Sequence, residues 1–168
     1  EWDFDPSSLL ANKLFYRKIV NYIVTNTDER SFFDPTTGQT NLYTITSPVN
    51  VSNAKVRGIS LMYQQDLGHG FGLQTNYTYA HADASTGLNM PFLSKNTLNI
   101  IPYYEKGPWS ARINYSWRSP YFTQIGRLDS KVFADQYKEL DFTAGYQVND
   151  WMGVTFSATN LLDSTYYW

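Results

Sequence analysis

The sequence lacks several features that would identify a soluble enzyme or a metalloprotein. It contains no cysteine, which excludes disulfides and thiolate metal sites. Two histidines, His69 and His81, cannot form a histidine-rich metal centre alone. It has no Gly-x-Ser-x-Gly nucleophile elbow and no glycine-rich phosphate loop. We therefore predict neither an enzyme nor a bound cofactor or metal.

Charge and hydrophobicity exclude further classes. The 13 basic and 15 acidic residues nearly balance and form no basic run, which argues against nucleic acid or anionic headgroups as the main partner. No stretch of 18 apolar residues exists, so no transmembrane helix is expected. The chain opens on Glu1-Trp2-Asp3 without a signal-peptide pattern, which predicts a processed chain or an internal piece of a longer protein.

Aromatic residues are abundant, at 17% of the chain with 14 tyrosines, and they alternate with polar ones. In Trp109–Arg118 the odd positions are Trp, Ala, Ile, Tyr and Trp, and the even positions are Ser, Arg, Asn, Ser and Arg. Successive side chains of a strand point to opposite faces, so this segment has one apolar and one polar face. A membrane-spanning strand needs about 9–11 residues with aromatic residues at both interfaces, which this segment provides.

The same alternation recurs along the chain and predicts an all-β fold. Strands are expected at Leu9–Thr25, Val56–Gln65, Phe71–His81, Lys95–Glu105, Trp109–Arg118, Tyr137–Val148 and Met152–Asn160, with a partial strand at Glu1–Asp5. The alternation in Leu9–Thr25 is imperfect, and either a β-bulge or an extension of the strand above the membrane would explain it.

The predicted connections alternate in length. Short turns at 6–8, 66–70, 106–108 and 149–151 alternate with long polar loops at 26–48, 82–93 and 119–136. Short turns on one side and long loops on the other are typical of antiparallel transmembrane β-barrels. A soluble antiparallel sheet with one solvated face is the alternative. It explains neither this asymmetry nor the Trp and Tyr residues at the strand ends.

An ordered set of motifs resembles the TonB-dependent receptors of the Gram-negative outer membrane, and it covers nearly the whole chain. The set begins with VRGISLMYQQ at 56–65 and ends with NLLDSTY at 160–166. Between them lie NYTY at 76–79, SKNTLN at 94–99, YYEKG at 103–107, ARINYSWRS at 111–119 and LDFTAGYQV at 140–148. The similarity is greatest to the proteobacterial branch often associated with carbohydrate uptake.

This resemblance implies a 22-stranded barrel, plugged by an N-terminal domain, that imports scarce nutrients with energy from the TonB complex. The chain lacks the plug domain, the TonB box and the last strand, so we predict a C-terminal fragment of the barrel. Its partners would be outer-membrane lipid, the missing plug and strands, the TonB complex and a small-molecule ligand. We expect the isolated fragment, with two open sheet edges, to aggregate.

Three groups of residues are candidates for function. Arg112, Asn114, Arg118, Glu139 and Asp141 are predicted to face the lumen, where they would line a substrate path, anchor the plug, or pair across strands. Outer loops place Phe33 and Tyr43, and then Tyr121, Phe122 and Arg127, where they would contact a ligand or pack within the loops. The predicted aromatic girdles contain Tyr79, Trp109, Trp117 and Trp151.

Other functions remain open at this stage. A passive outer-membrane channel would share the same barrel wall. A complete eight-stranded barrel, acting as a membrane enzyme or adhesion protein, would suit the length. A soluble β-sandwich binding module would fold without detergent.

Overall fold

The computed structural model describes residues 2–5, 7–84, 90–126 and 130–167. For residues 2–5, 22, 24–25, 51–52 and 84 only the backbone is described. Within these ranges, no helix is long and apolar enough to cross a membrane.

The described chain forms an eight-stranded antiparallel sheet and a small separate hairpin. The strands are β1 (Trp2–Asp5), β2 (Ser8–Asp34), β3 (Gln39–Gly68), β4 (Phe71–Ala84), β5 (Asn96–Lys106), β6 (Trp109–Arg118), β7 (Tyr121–Ile125), β8 (Lys131–Ala134), β9 (Tyr137–Asn149) and β10 (Met152–Ala158). The sheet has the order β1-β2-β3-β4-β5-β6-β9-β10, so its strands follow one another in sequence. The hairpin β7–β8 interrupts only the connection between β6 and β9. The predicted all-β antiparallel fold is confirmed.

The predicted loop at 26–48 is wrong, because both neighbouring strands continue through it. Strands β2 and β3 keep one constant register from Ser8 opposite Gln65 to Asp34 opposite Gln39, on both sides of Asn21, which has φ of 54°. Since the register does not shift, the imperfect alternation of β2 reflects extension of the strand and not a bulge. Thr27 and Thr46, polar but β-branched, are hydrogen-bonded across the hairpin through their hydroxyls at 3.2 Å. Such residues suit a strand whether or not it lies in a membrane.

A turn at 35–38 closes this long hairpin. The Asp34 carboxylate accepts hydrogen bonds from the Thr36 N–H at 2.8 Å and the Thr37 hydroxyl at 3.0 Å. These two bonds hold the pKa of Asp34 below its ordinary value. Gly38 adopts the left-handed conformation, with φ of 68°, and donates its N–H to the Asp34 carbonyl. The ionised carboxylate is therefore part of the turn.

The predicted loop at 119–136 also contains strands. Tyr121–Ile125 and Lys131–Ala134 form the β7–β8 hairpin, whose register shifts between Phe122 and Gln124. Long connections follow β4 and β6 at one edge of the sheet, and tight turns after β1, β3, β5 and β9 lie at the other. The predicted asymmetry is thus present at these connections but not after β2, where the turn at 35–38 closes the hairpin.

Cross-strand pairing aligns the alternations of neighbouring strands into two continuous faces. Directly opposed residues share a face, and Ile113, Phe142 and Ala158 form one such apolar row. Among the apolar side chains, Leu14 is 78% exposed and Phe156 is 62% exposed. The opposite face carries polar contacts such as Asn76 to Asn99 and Thr143 to Ser157.

No second layer covers the apolar face in the described part of the chain. The buried apolar residues are few and mostly small, and no large side chain is fully enclosed. They are Ala54, Val56, Ala80, Tyr121, Phe122 and Ala134. A soluble sandwich would bury one face of each sheet against the other. This arrangement therefore does not fit the β-sandwich alternative, and it suits a sheet whose apolar face is covered by lipid.

Aromatic side chains flank the apolar face at both edges. At the short-turn edge the rings of Trp109 and Tyr146 lie 4.4 Å apart, and Trp151 is 82% exposed. Toward the long-loop edge, Tyr79 and Trp117 occupy the same face. Eight residues separate Trp109 from Trp117, which is about 27 Å along a strand and about 21 Å along a membrane normal after tilting. That spacing suits the hydrocarbon layer that girdles enclose.

We expect Ile113→Arg to destabilise the protein in a bilayer, because Ile113 is midway between the aromatic edges on the apolar face. A charged residue at the bilayer midplane costs about 2–4 kcal/mol. The control, Ser116→Arg, places the same side chain on the polar face opposite Glu139. Urea unfolding in phospholipid vesicles measures the free energy of unfolding of both variants. Equal losses in the two variants would contradict the assignment of faces.

We expect Asp34→Ala to accelerate hydrogen exchange of the Thr36 amide several-fold, and Asp34→Asn to do so less, because an amide oxygen can still accept the bond. The pKa of Asp34 is lowered in the fold, so its support for the turn is present above the ordinary value of 3.8. That support is lost as the pH falls through the lowered pKa. NMR titration of the Thr36 amide measures this loss of support. A midpoint above 3.8 would contradict the hydrogen bonds from the turn to the Asp34 carboxylate.

Candidate functional site

A groove of about 860 Å³ lies on the polar face, close to the long-loop edge. We call it the loop-edge groove. Its wall includes one cross-strand row of polar residues, which are Lys13, Ser60, Thr78, Thr97 and Arg118. Because this row lies on the face opposite the lipid-facing side chains, the groove would open into the lumen of a closed barrel.

Residues of the segment Met90–Ser94 line the groove, and the β7–β8 hairpin packs against this segment from outside. We call the segment and the hairpin together the roof. The Phe92 N–H donates to the Phe122 carbonyl at 2.8 Å, and the rings of Phe92 and Tyr121 lie 6.3 Å apart. Strand β7 also contacts β2 across the polar face. The hairpin therefore folds inward over the wall.

Tyr121 and Phe122, two predicted ligand contacts, are almost fully buried in this roof, with 7% and 6% exposure. The Phe122 ring packs edge-on against Phe133 at 5.8 Å. The adjacent Thr123 is buried and donates its hydroxyl to the Val132 carbonyl at 3.0 Å. The structure favours the loop-packing interpretation of both aromatic residues over direct ligand contact.

Three cationic side chains line the loop-edge groove. Lys13 and Arg17 project from β2, and neither forms an ion pair with any described residue. Arg118 Nε donates to Ser94 Oγ at 3.1 Å, and its guanidinium lies 4.1 Å from the ring centre of Tyr121. Arg118 thus joins the wall to the roof, while Lys13 and Arg17 are available to an anion.

Apolar surface lies beside these cations. Phe15, also on the inward face of β2, and Phe92, 66% exposed in the roof, both line the groove. Sequence inspection missed Lys13, Arg17, Phe15 and Phe92. The alternating pattern could have identified Lys13, Arg17 and Phe15, because odd positions of β2 lie on the inward face. Phe92 lies in a predicted loop, where no alternation indicates its direction.

The predicted pairing of Arg112 and Arg118 with Glu139 and Asp141 is wrong, although all four side chains share the polar face with Asn114. The register places Arg112 opposite Thr143 and Arg118 opposite Tyr137. The two carboxylates lie opposite uncharged residues, namely Ser116 for Glu139 and Asn114 for Asp141. Register, which alternation alone does not specify, accounts for the error.

Arg112 pairs instead with its other neighbouring strand. Its guanidinium lies 3.4 Å from the Glu105 carboxylate and 5.8 Å from the ring centre of Tyr103. The side chains of Arg112 and Glu105 are about half exposed, so the ion pair contributes little stability. This pair lies toward the short-turn edge, away from the loop-edge groove.

Asp141 anchors the segment that follows β10. Its carboxylate accepts hydrogen bonds from the Asn160 N–H at 3.0 Å and from the Asn114 side chain at 3.4 Å. Asn160 adopts a left-handed conformation, with φ of 52°, and its side-chain oxygen accepts from the Ser164 N–H at 2.8 Å. The Asn-Leu-Leu-Asp motif is thus tied to the barrel wall through a residue predicted only to line the lumen.

Two further candidates, Phe33 and Tyr43, lie at the far end of the β2–β3 hairpin, away from the groove. Tyr43, half exposed, lies near the tip of the β2–β3 hairpin, with its ring edge-on to Phe32 at 5.8 Å. Phe33, beside the same tip, is 65% exposed. Arg127 lies outside the described residues. Among the described side chains, no group of three His, Asp or Glu residues could hold a metal ion.

Comparison with known proteins relates this fold to two solved receptor structures. The siderophore receptor PirA from Acinetobacter baumannii matches 95% of this chain with a TM-score of 0.68 and 17% identity. The pyoverdine outer membrane receptor FpvA from Pseudomonas aeruginosa PAO1, bound to pyoverdine, matches 94% with a TM-score of 0.61 and 19% identity. The chain spans 26% and 24% of these two proteins, respectively.

Sequence comparison assigns the family. No significantly similar sequence is found among the curated proteins. The family model for the β-barrel of TonB-dependent receptor-like proteins matches residues 1–161. This match covers nearly the whole chain and confirms the resemblance seen in its motifs. The chain therefore belongs to the TonB-dependent receptor-like β-barrel family of the Gram-negative outer membrane.

Proposed function

We propose that this chain forms part of the barrel wall of a receptor that takes up a scarce small molecule with energy from the TonB complex. Strands β1 and β10 are the two edges of an open sheet and do not pair with each other. Unpaired edges are not stable in lipid, so further strands must complete the barrel. These edges favour the larger receptor over a complete eight-stranded barrel. The plug domain and remaining strands would come from the rest of the protein.

The loop-edge groove carries this proposal and suggests the class of ligand. Lys13 and Arg17 are available cations beside the rings of Phe15 and Phe92. This lining suits a small anion with flat or apolar parts, since cations bind carboxylates and the rings cover apolar surface. An anionic ferric chelate of the siderophore type fits the charge better than a neutral carbohydrate.

The roof offers a route for ligand entry. Arg118 binds Ser94 and Tyr121 of the roof through its guanidinium. An anionic group entering the groove would compete with Ser94 for this cation and loosen the contact. Capture would therefore begin at the outer hairpins and end in the groove, before the TonB-driven rearrangement of the plug.

We expect the double variant Lys13→Gln/Arg17→Gln to lose anion binding in the full-length protein. Each hydrogen bond to a charged group contributes about 1.5–3 kcal/mol, so the affinity should fall at least about tenfold per lost contact. Calorimetry with ferric citrate, a ferric hydroxamate and a ferric catecholate measures the effect, and maltoheptaose tests neutral carbohydrate.

The matched control is Lys106→Gln/Lys138→Gln, which removes two exposed cations on the opposite face of the sheet, neither of which lines the groove. The control should bind as the unmodified protein does. Binding of maltoheptaose alone, or equal ferric-chelate affinities in both double variants, would contradict the assignment of the ligand class.

Energy dependence separates the receptor from a passive channel. We expect cells carrying the full-length protein to accumulate ⁵⁵Fe from the chelate that binds, and to stop when the TonB complex is inactivated. Uptake that continues at the same rate without TonB would identify a passive pore. Such a result would contradict TonB-driven uptake but not the geometry of the groove.

A further inference from the structure

A group of charged residues lies on the apolar face, opposite the loop-edge groove. We call it the outer basic cluster. It consists of Lys18, Lys55, Arg57, His81 and Asp83. Arg57 is directly opposite His81, and Lys55 is directly opposite both Lys18 and Asp83. The cluster thus occupies two adjacent cross-strand rows on β2, β3 and β4.

Its position along the strands is that of a lipid headgroup. Two residues nearer the short turns along each strand, the same face carries Leu14, Ile59 and Tyr79. Leu14 is 78% exposed, and Tyr16, the neighbour of Arg57, is 63% exposed. The two rows of the cluster lie about 7 and 14 Å beyond Tyr79, on the side of the long outer loops. Apolar surface for acyl chains is therefore followed directly by charge.

The cluster carries more cations than its single carboxylate can neutralise. The Arg57 guanidinium lies 3.3 Å from one oxygen of Asp83, and His81 Nε2 lies 3.0 Å from the other. Among the described residues, neither Lys18 nor Lys55 forms an ion pair. Within the described part of the chain, these two exposed ammonium groups therefore have no paired carboxylate.

Lys18 and Lys55 face each other directly across the β2–β3 pair. Like charges at opposed positions of an antiparallel pair are destabilising. An anion placed between the two ammonium groups would convert that repulsion into two attractions. The opposed pair is hence better explained by a bound anion than by the sheet alone.

We propose that the outer basic cluster binds the phosphorylated headgroup of a glycolipid in the outer leaflet. Lys18, Lys55 and Arg57 would contact phosphate oxygens, while the acyl chains cover Leu14 and the ring of Tyr16. The apolar surface beside the cluster favours a lipid over free phosphate. The cations of this site differ from those of the loop-edge groove, since Lys13 and Arg17 belong to the other face of the same strands.

The test measures retention of bisphosphorylated lipid A by the full-length protein in detergent, using native mass spectrometry. Unmodified protein should retain it, and should retain fully dephosphorylated lipid A at least about tenfold less, because the loss of each charge-assisted contact weakens binding about tenfold. Lys18→Gln/Lys55→Gln should show a similar loss with the phosphorylated lipid. These exposed strand positions accept glutamine without disturbing a packed core.

Lys106→Gln/Lys131→Gln serves as the control, since it removes the same charge elsewhere; Lys106 lies on the same face at the short-turn edge. Its retention of lipid A should be unchanged. Equal retention by the two double variants, or by the two forms of lipid A, would overturn the proposal. Displacement of lipid A by equimolar inorganic phosphate would also overturn it, because the site would then recognise only the anion.

Discussion

The need to satisfy every backbone hydrogen bond in lipid shapes the whole of this structure. Each described strand of the sheet is antiparallel to its neighbours, so the N–H and C=O groups between strands are paired without water. Once the backbone is paired in this way, side chains alone distinguish the two faces. The apolar face then suits lipid, and the polar face can carry Arg112, Asn114 and Asp141 without a packed core.

Extension of the sheet beyond the apolar band generates the functional regions. Strands β2 and β3 continue as a hairpin closed by Asp34, and the connection between β6 and β9 folds back as β7–β8. The first carries exposed aromatic residues outward. The second buries Tyr121 and Phe122 and packs against the segment Met90–Ser94, which lines a groove together with Lys13 and Arg17. One architecture therefore supplies both an outer surface and an inner site.

The two faces separate two kinds of anion recognition on the same strands. On β2, Lys13 and Arg17 project into the groove, while Lys18 projects toward lipid. The sequence has no basic run, and its overall charge is slightly negative. Local basic sites nevertheless arise because cross-strand pairing places distant residues side by side, as with Lys18 and Lys55. Net charge describes long-range attraction and not individual sites.

The sequence by itself determined the membrane-barrel class, most strand positions, the tight turns and the face on which each strand residue lies. These follow from a period of two and from local turn chemistry, both of which are properties of short segments. The family motifs were also readable there. The long β2–β3 hairpin was missed because its polar residues resemble a loop when the partner strand is unknown.

Only the tertiary structure decided which residues meet. The pairing register places Arg112 in an ion pair with Glu105 and not with Glu139. The Asp141 carboxylate accepts a hydrogen bond from the Asn160 N–H. Folding of the β7–β8 hairpin buried Tyr121 and Phe122, for which the sequence left ligand contact and loop packing open, and the fold placed Phe92 and Arg17 in the lining of one groove. Register and loop placement depend on contacts between residues far apart in sequence, which an alternating pattern within one strand does not encode.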